Sequence, residues 1–391
     1  MKRMSALLLA FVLLAGLVAP RIHAAASPAA PPANAPGAAA AATLSQITGI
    51  AISPLLGTAG IGAVKYFRTP ESQRAGLSWY AQPWFWGPAL ALVALVALKD
   101  TAGTAVPTAL KKPFDVAEVF ENKLSGLVAT GAVVPMAMDM FKQFAPGAGA
   151  SLSDAGFAAV DLSQFWGTLM VPFALLAYAA VFLVSHTIHI LILISPFTTV
   201  DAALKTFRIF LLSTVAGTSF ASPTAGAVWS GLIVLCCLPL AGWAFRLMVF
   251  GQIHAWDILT FRRRRFVPDT AANAAFLARK VGGVPRRTYG FVRRDASGGL
   301  VFSWRPWLLL PERTTPLPSG PLAVGRGLFH PEVLEIDGES TRDLLDLPPR
   351  FKGHEETFAR IHAIGEVRDV GLRAAWAWLK GLFSSAPAHA S

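Results

Sequence analysis

The chain has 391 residues, of which 54% are hydrophobic and only 15% charged, and its mean hydropathy is +0.51. Soluble domains run nearer a quarter charged, so this composition excludes a wholly water-facing globule and requires that part of the chain face lipid. The net charge is +11, with most of the excess after Arg262, and the two cysteines, Cys236 and Cys237, are adjacent in an apolar stretch; that excludes a disulfide scaffold and offers no metal spacing.

In chain order, Lys2 and Arg3 precede an apolar run from Ala6 to Ala19 and a small-residue site around Ile22-His23-Ala24-Ala25. That layout reads as a secretory signal peptide over residues 1–24. Residues 25–42 form an Ala/Pro tract with no large side chains to bury, expected to be a disordered linker. Residues 43–260 are expected to be a transmembrane helical domain. Its first span runs from Thr43 to Val64 and ends at Lys65-Tyr66-Phe67-Arg68. The second opens in the aromatic cluster Trp79-Tyr80 and Trp84-Phe85-Trp86 and runs to Leu98, aromatics of this kind favouring the headgroup level. Leu124–Phe141, Phe165–Ile194 and Ala225–Phe250 supply three more.

Five spans place both the loop over residues 65–83 and the run Arg262-Arg263-Arg264-Arg265 on the cytoplasmic side. Six would export four consecutive arginines, so Asp201–Phe220, with Lys205 and Arg208, is expected to be re-entrant, interfacial or packed on other helices. There is also an internal echo. Ile52-Ser53-Pro54, Lys65-Tyr66-Phe67-Arg68 and Trp86-Gly87 return near a 140-residue offset as Ile194-Ser195-Pro196, Lys205-Thr206-Phe207-Arg208 and Trp229-Ser230-Gly231. With three spans per copy, this is the pattern of an inverted repeat.

The order YAQPWFW, FENKLSGLVATGAVV and SHTIH, each beside an apolar helix, resembles a family of bacterial integral-membrane proteins known only as a domain of unknown function. The resemblance covers roughly residues 43–250. It implies a bacterial inner-membrane location and no established activity.

The tail, residues 266–391, is compositionally distinct. Asp269–Lys280 reads as a short helix, with an acid at its start and bases at its end. Thr288–Arg294 and Leu300–Trp307, joined by Asp295-Ala296-Ser297-Gly298-Gly299, read as a hairpin. Proline-punctuated short strands follow as far as Ile336-Asp337-Gly338. Helices are expected over His354–His362 and Glu366–Phe383, the latter with Leu372, Trp376, Leu379 and Phe383 on one face. The expected fold is therefore an all-α transmembrane bundle of about five spans, with one re-entrant or interfacial segment, followed by a small α+β cytoplasmic module.

The chemistry-bearing candidates are few. His186 and His189 lie one helical turn apart in an apolar stretch, where unpaired polar groups are costly. Together with Asp139 they form a candidate intramembrane polar site, either a proton relay or ligand contact, or imidazoles that hydrogen-bond neighbouring helices. HxxH alone lacks further metal ligands. Gly57, Gly60, Gly62, Gly126 and Gly131 permit close helix approach. Arg262, Arg263, Arg264 and Arg265 read as a topology or anionic-lipid anchor. Nucleophile, P-loop and dinucleotide motifs are absent, and Glu355-Glu356 falls in a hydrophilic stretch. The sequence points to a non-catalytic membrane-anchored protein whose basic tail contacts a protein partner or the lipid surface, with no cofactor and no nucleic acid. The alternative is a small-solute or ion transporter or channel built on the inverted repeat.

Overall fold

The computed structural model describes residues 38–102, 108–144, 162–195, 198–338 and 340–371. The expected signal peptide, and the linker up to residue 37, lie outside the described residues. Residues 38–42, expected in the linker, are instead the first turns of helix α1 (Ala38–Ile52). The chain divides into two compact units, Met1–Ala241 and Gly242–Ser391.

The first unit is helical: α1 is followed by α2 (Pro54–Arg68), α3 (Pro83–Ala102), α4 (Thr108–Phe144), α5 (Leu162–Ile194), α6 (Thr198–Ala221) and the start of α7 (Pro223–Leu259). Its core gathers Ile50, Ile52, Tyr80, Val133, Tyr178, Val181, Val215 and Ile233. Gly62 and Gly126 are among the glycines needed for the close approach of helices. A Cβ on Gly62 would stand 2.0 Å from the Tyr80 carbonyl oxygen, and one on Gly126 would stand 2.4 Å from the Phe182 ring. Gly60 faces open space, so its expected packing role is not seen.

The five-span expectation is overturned here. Among the described residues, two helices are long and apolar enough to cross a membrane: Val171–Leu193, within α5, and Pro223–Leu259, which is α7. The apolar stretch of residues 43–64 breaks at Ser53-Pro54 into two helices of 15 residues each, because proline lacks the N–H that would continue α1 and instead starts α2. Among the described residues, α3 offers only the shorter apolar segment Pro83–Ala94. Residues 124–141 belong to a 37-residue helix whose sequence includes Lys111, Lys112, Asp115, Glu118 and Glu121. Helices at the core of a packed bundle can be as apolar as spanning ones, so counting apolar windows overcounts spans. Residues 201–220 lie in one continuous 24-residue helix, α6, packed on α1 and α5. The 140-residue echo is not carried through the fold either, since Lys65–Arg68 ends α2 whereas Lys205–Arg208 lies inside α6.

The second unit corrects the expected α+β tail: it is mostly β. Eight strands form one mixed sheet in the order β4-β3-β2-β1-β7-β6-β5-β8. They are β1 (Asn273–Leu277), β2 (Tyr289–Arg294), β3 (Leu300–Trp304), β4 (Arg313–Pro316), β5 (Leu322–Arg326), β6 (Glu332–Asp337), β7 (Ser340–Asp346) and β8 (Glu366–Asp369). Every neighbouring pair is antiparallel except β5–β8. Both edges, β4 and β8, are four residues long.

The expected helix over Asp269–Lys280 is strand β1. Asp269 does cap a turn, accepting from the Ala271 amide at 2.8 Å, but Ala275 and Leu277 are buried in the core on one face of the sheet. On the other face Phe276 meets Phe250 of α7 at 5.0 Å. A central strand buried on both sides overrides alanine's helix propensity. Glu366–Asp369, expected to begin a helix, is strand β8, and the apolar stripe from Leu372 to Phe383 lies outside the described residues. The expected hairpin is present, its turn organised by Asp295, whose Oδ1 accepts from the Ser297 and Gly299 amides. The helix expected over His354–His362 is α8 (Glu355–Ile361), with Phe358 in the core beside Phe351.

Candidate functional site

In the first unit His186 and His189 converge on buried polar partners. His186 is fully buried and His189 nearly so, with ring centroids 6.1 Å apart. His186 Nδ1 lies 2.8 Å from the Asn122 side-chain nitrogen on α4. The Arg208 guanidinium, from α6, donates to His189 Nε2 and reaches Ser53 Oγ at 3.5 Å. Beside them Ser185 Oγ donates to the Ile52 carbonyl at 2.8 Å. These bonds tie α5 to α4, α6 and the α1–α2 break, which is what polar residues do between helices in an apolar setting. His186 Nε2 is buried and has no hydrogen-bond partner among the described residues. Asp139 is on α4, but its side chain lies outside the described residues. Asn122, Ser53 and Arg208 were missed from sequence because their meeting depends on how four helices pack.

In the second unit Arg262–Arg265 form a single exposed 3₁₀ turn after α7. Arg262 lies 3.8 Å from Asp257 Oδ1, and Arg265 donates to the Thr260 carbonyl at 3.2 Å. Asp257 has a fully buried side chain and a stronger partner, the nearly buried Arg350, whose Nε lies 2.7 Å away. Glu355, expected in an exposed stretch, is buried and accepts from the Gly353 amide at 2.8 Å.

A larger feature lies around the start of this unit. Phe245, Arg246, Arg287, Tyr289, Trp304, Trp307 and Arg313 are among the residues lining a cavity of about 700 Å³. Burial pulls the Arg287 guanidinium below its usual value, with Arg286 adding to the effect and Asp346 opposing it; a desolvated cation of this kind favours an anionic ligand. At the rim, Trp307, Leu308, Leu309 and Leu310 are exposed at 45%, 42%, 88% and 47%. Trp307 packs on Phe245 of α7 at 4.9 Å. Trp307 and Leu308 both hold left-handed backbone, with φ of 55° and 62°. The signal in the sequence was Trp307-Leu308-Leu309-Leu310, of which only Trp307 was read, as the end of a hairpin strand. Elsewhere in the unit, His330, Glu332 and Asp346 bring ligand-type atoms within 4.8 Å of one another.

No protein-family model, curated protein or solved structure matches this chain. Nothing among these comparisons bears on the resemblance to the bacterial membrane family.

Proposed function

We propose that the chain is a non-catalytic, membrane-anchored protein whose second unit lies on an anionic lipid surface. The observation that carries this reading is the exposed loop Trp307–Leu310 beside Phe245. Left-handed backbone costs a non-glycine residue on the order of 1–2 kcal/mol, and two such residues in succession hold these four apolar side chains outward. Within the protein that strain recovers little burial. In lipid it recovers roughly 25 cal/mol for every Å² of apolar surface removed from water.

Helix length supports the same boundary. The first charged residue of α7 is Arg246; the stretch before it, residues 223–245, rises about 34 Å, close to the roughly 30 Å hydrocarbon core. On this reading Phe245, Trp307 and the arginines 246, 287, 305 and 313 lie at headgroup depth. From Arg246 the helix rises about 20 Å more to its end at Leu259, just before Arg262, beyond the reach of headgroup charge at physiological salt. The run 262–265 then acts as a retention signal, and the positive-inside rule supports an inner-membrane protein with this unit cytoplasmic.

The test uses the full chain in nanodiscs, with Cys236 and Cys237 replaced by alanine and an environment-sensitive fluorophore on Leu309→Cys or, as control, on Arg342→Cys of β7. In discs containing phosphatidylglycerol the label at 309 is expected to be several-fold less accessible to an aqueous quencher than the label at 342. Arg305→Glu with Arg313→Glu is expected to expose it. Equal quenching at the two positions overturns the reading.

A further inference from the structure

His330 lies two residues before Glu332, which opens β6, and Asp346 closes β7, with Glu332 and Asp346 facing each other in register. His330 Nε2 lies 3.9 Å from Glu332 Oε1 and 3.7 Å from Asp346 Oδ1. Like charges opposed across an antiparallel ladder repel. Burial raises the Glu332 carboxyl above its usual range, Asp343 and Asp346 adding to the rise and His330 opposing it. The nearby cation Arg287 lies over the Phe250 ring at 5.6 Å, and among the described residues it makes no ion pair with either carboxylate.

A fourth group comes from α7. His254 is only 9% exposed, and its ring stands perpendicular to that of His330 with centroids 5.1 Å apart. Its Nδ1 lies 2.9 Å from the Phe250 carbonyl oxygen. A carbonyl only accepts, so Nδ1 carries the proton and Nε2 presents a lone pair. That Nε2 is buried and has no hydrogen-bond partner among the described residues. One buried lone pair, a second imidazole and two carboxylates form a set of acceptors that a cation satisfies.

We propose that His254, His330, Glu332 and Asp346 bind one divalent first-row transition ion, Zn²⁺ being the probe of choice. Two imidazoles and two carboxylates suit such an ion, with bonds of about 2.0–2.2 Å. The ligand atoms of His330, Glu332 and Asp346 already lie within 4.8 Å of one another, and the His254 ring stands beside that of His330 with centroids 5.1 Å apart, so side-chain rotations are needed to close all four onto the ion. Four protein ligands leave no open position, which makes the site structural: it staples α7 to β6 and β7. The Nδ1–carbonyl bond of His254 is the outer contact that orients metal-binding histidines.

The experiment takes the full, tag-free chain in detergent, strips it with EDTA and measures Zn²⁺ uptake by equilibrium dialysis and elemental analysis. The native chain is expected to take up one ion that Asp346→Asn and His254→Gln lose, with affinity falling by at least about 10–100-fold. Glu332→Gln keeps the shape and removes the carboxylate repulsion, so it is expected to raise Tm without zinc and lower it, relative to the native chain, with zinc. The proposal fails if the native chain takes up no stoichiometric Zn²⁺ at micromolar concentration. It fails equally if Asp346→Asn and His254→Gln leave uptake unchanged, or if Glu332→Gln shifts Tm the same way in both conditions.

Discussion

Replacing Asp257 with alanine isolates the strongest buried electrostatic contact of the second unit. The Asp257 side chain is fully buried and that of Arg350 only 10% exposed, their closest atoms 2.7 Å apart; the same carboxylate oxygen lies 3.3 Å from the Arg350 amide. Removing it leaves a guanidinium buried without its counter-ion, a change that typically costs on the order of 3–5 kcal/mol. For a unit of this size each kcal/mol moves Tm by roughly 2–4 °C, so Asp257→Ala is expected to lower the unfolding midpoint of the detergent-solubilised chain by about 6–20 °C. The loss is local, and hydrogen exchange read by mass spectrometry is expected to speed up in peptides covering β1 and β7. Asp257→Leu combined with Arg350→Met removes both charges and is expected to recover most of the loss, since a well-packed apolar pair can match a buried ion pair. A single-mutant loss below about 1 kcal/mol, the scale of an exposed pair, or a double mutant worse than the sum of the singles, would refute this reasoning.

Two further outcomes follow from packing and from protonation. Gly126→Ala drives a methyl group into the Phe182 ring and is expected to cost about 1–3 kcal/mol, whereas Gly60→Ala, facing open space, is expected to be neutral or slightly stabilising; matching thermal shifts for the two would contradict the helix contact. His362 is pushed down to about 4, chiefly by burial and then by Arg294, while its Nε2 lies 3.0 Å from the Asn273 amide nitrogen. Because the unfolded chain takes up this proton near pH 6.5 and the folded chain does so only near 4, the stability this group contributes is intact above 6.5 and falls as pH drops through that window. His362→Gln is expected to flatten the stability profile between pH 4 and 6.5, and an unchanged slope would remove the histidine from the account.

The parts of the fold that were legible in the sequence are those set by local chemistry. Asp295, Ser297 and Gly298 specify their own turn, so the β2–β3 hairpin could be placed, and α8 announced itself through its short amphipathic run. Strand β1 could not be read, because Asn-Ala-Ala-Phe-Leu favours a helix until β2 and β7 flank it. Strand β8 takes its conformation from a parallel partner more than 40 residues earlier in the chain. His186 and His189 stood out as polar groups in an apolar run, but Asn122 and Arg208, which engage them, come from other helices. His330 and Glu332, two apart at a strand start, share a face and were in principle visible. Asp346 joins them only through the β6–β7 register, which shifts between Val333 and Leu334. Composition alone correctly required apolar surface, yet it could not distinguish core helices from spanning ones.

An unpaired sheet edge invites strand-to-strand association between copies of a protein, and among the described residues this sheet ends at β4 and β8. At one flank β4 carries Arg313 at its start and Pro316 at its end, the latter lacking an N–H to donate; at the other, β8 is the charged run Glu366-Val367-Arg368-Asp369. Short, charged or proline-closed borders template poorly. Lateral pairing between neighbours is thereby discouraged by the borders themselves.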